Sequence, residues 1–226
     1  MRFLAKGSLA REIPGIVIGA LVLSFIIKLV FVQFFYIPSG SMQNTLAIGD
    51  RIAVNRFASH FSDIKRGEVV VFKDPDNWLG AEPISNSNGL VKFIKRVGVD
   101  VGLLPNPSTQ YLIKRVIGVG GDKVVCCDKS GNLEVNGQSI KEPYIFPGNK
   151  PSDSTFSVKV PKGFIWVMGD HRGDSADSRF HTEDIHHGMV PLSDVTGRAV
   201  FTVWPLNHFK FLPVGHDLSK VPHLNN

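Results

Sequence analysis

Residues 111–122 read YLIKRVIGVGGD. A run rich in aliphatic and β-branched residues carries a lysine and an arginine side by side, then stops at two glycines and an aspartate. Such a run suits a pleated, half-buried surface, and the Gly-Gly-Asp that follows is turn chemistry. On a strand, Leu112, Lys114 and Val116 share one face while Ile113 and Ile117 lie on the other. A strand here buries a lysine among apolar neighbours, which needs a reason.

Outward from this stretch the pattern repeats. Short β-rich runs occur at 68–73 (EVVVFK), 122–127 (DKVVCC), 132–137 (NLEVNG), 157–161 (SVKVP), 163–169 (GFIWVMG) and 197–204 (GRAVFTVW). Most of the 22 glycines and 14 prolines sit between them. No stretch of this body keeps a helical period over three turns. The pattern predicts a mainly β, antiparallel domain. Residues 75–110, rich in Asn, Pro, Ser and Gly, read as a loop-rich insertion. The tail after about residue 205 shows no clear element. One local echo, KFIKRVGV at 92–99, repeats the lysine setting and makes Lys95 a rival to Lys114.

Upstream of the body, residues 13–37 (IPGIVIGALVLSFIIKLVFVQFFYI) contain one charge, Lys28. About 20 apolar residues span a bilayer core. The run is too long for a cleaved signal peptide and lacks a small-x-small cleavage site after it. The reading is a transmembrane anchor over 11–31, with Lys28 near an interface where its stem can snorkel. The aromatic FVQFFYI then lies in the outer interface, and is also able to pair as the first strand of the body. Before residue 14 there are Arg2, Lys6 and Arg11 against one Glu12. By the positive-inside rule, 1–10 are cytoplasmic and 32–226 extracytoplasmic.

The chain has 226 residues, 20% of them charged, and a net charge of +5. No dense basic patch is interleaved with aromatics, so nucleic acid is not an expected partner. Cys126 and Cys127 are the only cysteines and are adjacent. A vicinal bridge needs strained geometry, so two free thiols are expected, with neither a disulfide framework nor metal-ligand spacing. His181, Asp184, His186 and His187, in HTEDIHH, are read as a polar loop rather than a metal site.

A serine nucleophile needs a base. None of the eight histidines falls in a β-rich run beside an orienting acid. Lysine serves only if desolvation brings its pKa toward neutrality, and Lys114 and Lys95 both have apolar surroundings.

Three motifs then occur in order behind the anchor: IPSGSMQNTLAIGD at 37–50, KRVIGVGGD at 114–122 and GDHRGDSADSR at 169–179. Together they resemble the type I signal peptidases, membrane-anchored Ser–Lys proteases, over about residues 35–200. The resemblance implies an antiparallel β-sheet or partly open barrel catalytic domain behind one anchor. It implies Ser41 as nucleophile, Lys114 as general base, Ser39 with the Ser41 N–H as an oxyanion hole, and Ser175 as the group orienting the lysine. Arg115, Asp170, Asp177 and Arg179 match its supporting charge pairs. Lys114 is preferred to Lys95 because only Lys114 is followed by the matching glycine turn. No cofactor or metal is implied. The implied substrates are signal-peptide-bearing precursors cut at small-x-small sites beside membrane lipid. Asn44, His171, Gly173 and Val119-Gly120 depart from the family pattern without removing a catalytic group.

Two other functions compete. One is a non-catalytic β domain tethered outside the cell, with Ser39 and Ser41 in a binding turn. The other is a self-cleaving Ser–Lys processing protein, disfavoured because no DNA-binding module precedes the body. The Arg172-Gly173-Asp174 tripeptide is read as chance.

Overall fold

A computed structural model describes residues 13–19, 22, 31–56, 63–80 and 110–223. Residues 13–19, 22 and 31 are helical. The rest of the anchor expected over 11–31 lies outside the described residues, as does the 81–109 part of the expected insertion. Among the described residues no helix is long and apolar enough to cross a membrane.

Among the described residues every strand pairing of the body is antiparallel. One sheet has the order β1 (Val32–Tyr36), β2 (Arg51–Asn55), β11 (Val195–Trp204), β3 (Val69–Lys73), β4 (Tyr111–Val119), β9 (Phe164–Met168) and β10 (Val190–Pro191). β12 (Lys210–Phe211) pairs with β11 beside this path. A smaller sheet runs β7 (Gln138–Ile140), β6 (Leu133–Val135), β5 (Lys123–Cys126) and β8 (Phe156–Lys159).

The central strands read as continuous apolar runs because both faces are covered. In β3 every residue but Lys73 is buried, and in β9 only Phe164 is partly open. Val70, Phe72, Leu112, Val116, Ile165 and Val167 form one core cluster. Ile117, Val124, Leu133, Trp166 and Met168 form a second, between the sheets. A third gathers Phe35, Met42, Leu46, Ile52 and Val71 beneath the turn that follows β1. A bulge interrupts the β4–β9 register between Val116 and Gly118, where Val116 and Val119 lie in the first cluster and Ile117 in the second.

FVQFFYI thus becomes a strand over Val32–Tyr36, pairing with β2 from Val32↔Asn55 to Tyr36↔Arg51. Gln33 and Phe35 point inward while Phe34 and Tyr36 stay exposed. The Asn136-Gly137 pair, both at positive φ, makes the tight turn between β6 and β7.

Three sequence expectations change. Cys126 and Cys127 are not free thiols but a vicinal disulfide. The tail is ordered: after β12, helix α1 (His216–Lys220) places Leu218 in the core and Val221 follows it there. The HTEDIHH segment is a docked loop. Its His181 ring stacks on Trp78 at 4.3 Å, Trp78 Nε1 donates to Asp184 at 2.7 Å, and His186 Nδ1 meets Asp76 at 2.8 Å.

Candidate active site

The turn between β1 and β2 is closed at its base. Ile37 N–H donates to the Asp50 carbonyl, and Gly49 N–H to the Ile37 carbonyl, both at 2.9 Å. Inside it, Leu46 N–H reaches the Met42 carbonyl at 2.7 Å, giving one helical turn. Met42 and Leu46 are buried in the third cluster and hold this turn down. Ser41 is therefore carried on a fixed loop rather than a flexible linker.

β4 supplies the partner. Lys114 pairs in register with Val70 on β3, between Leu112 and Val116, which sit in the same core cluster. Its side chain is 4% exposed and Ser41 is 7% exposed. Lys114 Nζ lies 2.7 Å from Ser41 Oγ, in hydrogen-bond contact. Burial pushes the Lys114 ammonium down to about 8, against Asp177, Asp170 and Asp174, which hold it up; Arg179 adds to the lowering. Desolvation wins because Asp170 and Asp177 are each engaged by an arginine and the Asp174 carboxylate is exposed to solvent.

That network has two buried pairs. Arg115, on the opposite face of β4 from Lys114, donates to both Asp170 oxygens at 2.8 and 2.7 Å. Its remaining donors reach the carbonyls of Gly67 and Pro213 and the Thr45 hydroxyl. Thr45 in turn donates to Asp170, and the Arg115 guanidinium lies over the Tyr144 ring at 4.1 Å. The second pair is Arg179 with Asp177, whose oxygens accept at 2.8 and 2.9 Å. Asp177 also accepts from Gly169 N–H and from the Ser175 hydroxyl at 2.8 Å.

All eight residues singled out in the sequence fall within the three matched segments, and the fold brings those segments together. Ser41 and Lys114 touch. Arg115 meets Asp170, and Arg179 meets Asp177. The Ser175 hydroxyl donates to Asp177, and no Ser175–Lys114 bond occurs among the described residues. Its oxygen still lies over the nucleophile segment, since a Cβ built on Gly169 would overlap both Ser175 Oγ and the Ser41 carbonyl. Ser39 is exposed. Lys95 lies outside the described residues.

Several supporting residues carry no role in the sequence reading, although Thr45 and Arg172 lie within the matched motifs. Thr45 closes the Arg115–Asp170 pair from the nucleophile turn. Arg172, dismissed as part of a chance tripeptide, is buried in a bidentate pair with Glu142. Tyr144 donates to the same Glu142 at 2.7 Å, and its own hydroxyl is pushed well up, mainly by burial. Thr45 and Asp170, and Arg172 and Glu142, are far apart in sequence, so no spacing rule reveals those pairs.

Comparison with known proteins agrees with the three motifs. The family described as "Signal peptidase, peptidase S26" matches residues 10–204. A signal peptidase I of Mycobacterium tuberculosis is 37% identical over 221 residues, covering 89% of this chain and 74% of its own. A probable signal peptidase I of Mycobacterium leprae is also 37% identical, covering 88% and 78%. A signal peptidase I of Leptolyngbya laminosa is 33% identical, covering 76% and 68%. The match takes in the nucleophile turn, the strand bearing Lys114 and the Asp170–Arg179 segment alike, and the chain belongs to the signal peptidase family, peptidase S26.

Proposed function

We propose that this signal peptidase, a serine endopeptidase acting on signal-peptide-bearing precursors, works through Ser41 as nucleophile and Lys114 as general base. The observation that carries this reading is the 2.7 Å contact between Nζ and Oγ, made by a lysine held at about 8. With the amine neutral, the hydrogen bond runs from the Ser41 O–H to Nζ. The proton passes to Nζ as Oγ attacks the scissile carbonyl carbon. The tetrahedral oxyanion is met by the Ser41 N–H and the Ser39 hydroxyl. When the intermediate collapses, the Lys114 ammonium returns its proton to the leaving amine, and an acyl ester remains on Ser41. The neutral amine next takes a proton from water as the water attacks the ester carbonyl, and the ammonium returns that proton to Ser41 Oγ as the acid is released.

The buried pairs Arg115–Asp170 and Arg179–Asp177 hold the three segments in register rather than touching substrate. Ser175 belongs with them, acting on the site through Asp177.

Residues 1–10 are cytoplasmic, 11–31 anchor the chain and the body from 32 onward is extracytoplasmic, supported by the basic N-terminus and the apolar run. Ten residues separate the end of the anchor from Ser41, and at about 3.3 Å each they keep the nucleophile within about 33 Å of the membrane boundary. A precursor held by its own apolar segment presents its cleavage site at that depth, and small-x-small sites are the expected sequence. The tethered binding domain would have no use for a desolvated lysine against a serine hydroxyl. The test is to incubate the detergent-solubilised full chain with a precursor. Wild type releases the mature protein, whereas Ser41→Ala and Lys114→Arg do not; guanidinium does not give up its proton. Cleavage by Ser41→Ala would overturn the assignment.

A further inference from the structure

We propose that His171 is a positioning residue for the nucleophile, acting with Gln43 as a clasp across the Ser41 turn. The inference rests on Ser41 being the nucleophile.

His171 touches that turn at two points. Its backbone N–H donates to the Ser41 carbonyl at 3.0 Å, and its ring Nδ1 lies 3.0 Å from Gln43 Oε1. An amide carbonyl oxygen only accepts, so the ring carries a proton on Nδ1 and donates it. The two bonds straddle Met42 and fix the residues on either side of it. The ring is itself fixed, stacked at 4.1 Å on Phe146, whose N–H is bonded to the Asp170 carbonyl at 2.9 Å. His171 also anchors its own turn, its carbonyl accepting from Asp174 N–H at 3.0 Å.

The clasp closes over Gly40, the residue before the nucleophile. A Cβ at Gly40 would come within 3.0 Å of Asp174 Oδ2 and 3.1 Å of Gln43 Oε1. The Gln43 amide and the Asp174 carboxylate therefore pack directly on the backbone that carries Ser41 and its N–H. Neither His171 nor Gln43 touches Ser41 Oγ or Lys114, so neither takes part in proton transfer. Their effect falls on where Oγ and the Ser41 N–H point, a matter in which displacement by about 1 Å costs on the order of a hundredfold in rate.

Side-chain geometry separates the two functions of the ring. In His, Nδ1 is bonded to Cγ; in Asn, Nδ2 is bonded to Cγ as well. His171→Asn thus keeps the donor to Gln43 Oε1 and loses the stacking on Phe146, while His171→Phe does the reverse. kcat and KM are measured on a small-x-small peptide substrate with the detergent-solubilised full chain, alongside circular dichroism. His171→Phe and Gln43→Ala should each lower kcat about tenfold or more with KM within about twofold. His171→Asn should stay within about threefold of wild type, and the double variant His171→Phe/Gln43→Ala should be no worse than either single one. A kcat loss in His171→Asn as large as in His171→Phe, multiplying losses, or an effect on KM alone would overturn the clasp. If His171→Phe does not fold, Gln43→Ala carries the same test, and unchanged kcat there is equally fatal. An active Ser41→Ala removes the reading beneath it, whereas an inactive Ser41→Ala beside an unaffected Gln43→Ala removes the clasp alone.

Discussion

Lys114→Met is expected to abolish activity and to stabilise the protein at neutral pH. Lys114 is held at about 8, against an ordinary value of 10.5. At about 1.36 kcal/mol per tenfold change in proton affinity, keeping the ammonium in this site costs about 3 kcal/mol. The sign follows from which state binds more protons. Between about 8 and 10.5 the unfolded chain holds a proton that the folded chain has released, so stability rises with pH through that window. Below about 8 the penalty is present in full; above about 10.5 it is gone. Methionine has nearly the same length, carries no charge and suits the contacts with Leu112 and Val116. The hydrogen bond to Ser41 is lost, about 1 kcal/mol. The net gain is about 2 kcal/mol at pH 7, shrinking to zero or below by about pH 11. Urea unfolding of wild type and variant in the same detergent at pH 7 and pH 10.5 reads this directly. The companion measurement is kcat/KM against pH in wild type, which should climb tenfold per pH unit below about 8 and level off above it. A variant less stable than wild type at pH 7, a stability difference independent of pH, or an activity limb near 10 would refute the reasoning.

Ser39→Ala should lower kcat by ~10²–10³, about 2.7–4 kcal/mol, with KM little changed; a variant within about threefold of wild type removes Ser39 from the oxyanion hole. Asp170→Ala leaves the fully buried Arg115 guanidinium without its counter-ion, and urea unfolding should show a loss of about 3–5 kcal/mol. Gly169→Ala places a Cβ 2.5 Å from the Ser41 carbonyl and 2.6 Å from Ser175 Cβ. It should cost about 1–3 kcal/mol as an overpacked site and depress kcat through Ser41; unchanged kinetics would show that the contact is not felt at the nucleophile.

The β class of the body was legible because its central strands are buried on both faces. Runs such as VVVF at 69–72 and FIWVM at 164–168 have no other use in a chain without helical periodicity. Strands that pair at an edge or through short hydrogen-bonded stretches left weaker marks. QSI at 138–140, three residues at the edge of the smaller sheet, went unread, and so did RIAVN at 51–55, an interior strand whose apolar run of three is bounded by Arg51 and Asn55. The tail offered no pattern because its burial is set by single residues, Leu218 and Val221, dropping into a core built elsewhere. The adjacent cysteines were misread for a similar reason, since adjacency alone does not show how the chain is bent there.

For the site, residue types and local order carried the chemistry. A serine in a proline-led turn, a lysine in an apolar strand and an acid–arginine cluster are each visible over a dozen residues, and their order along the chain identified the family resemblance. Composition alone left Lys114 and Lys95 open, because desolvation depends on what packs around a side chain rather than on its neighbours in sequence. Tertiary structure decided the contacts: Nζ at 2.7 Å from Ser41 Oγ, Ser175 turned to Asp177, Arg172 paired with Glu142, and His171 bridging to Gln43. Each of these joins side chains on separate turns and strands, or depends on a rotamer chosen by packing. Local sequence sets which groups are available, while only the folded chain sets which of them meet.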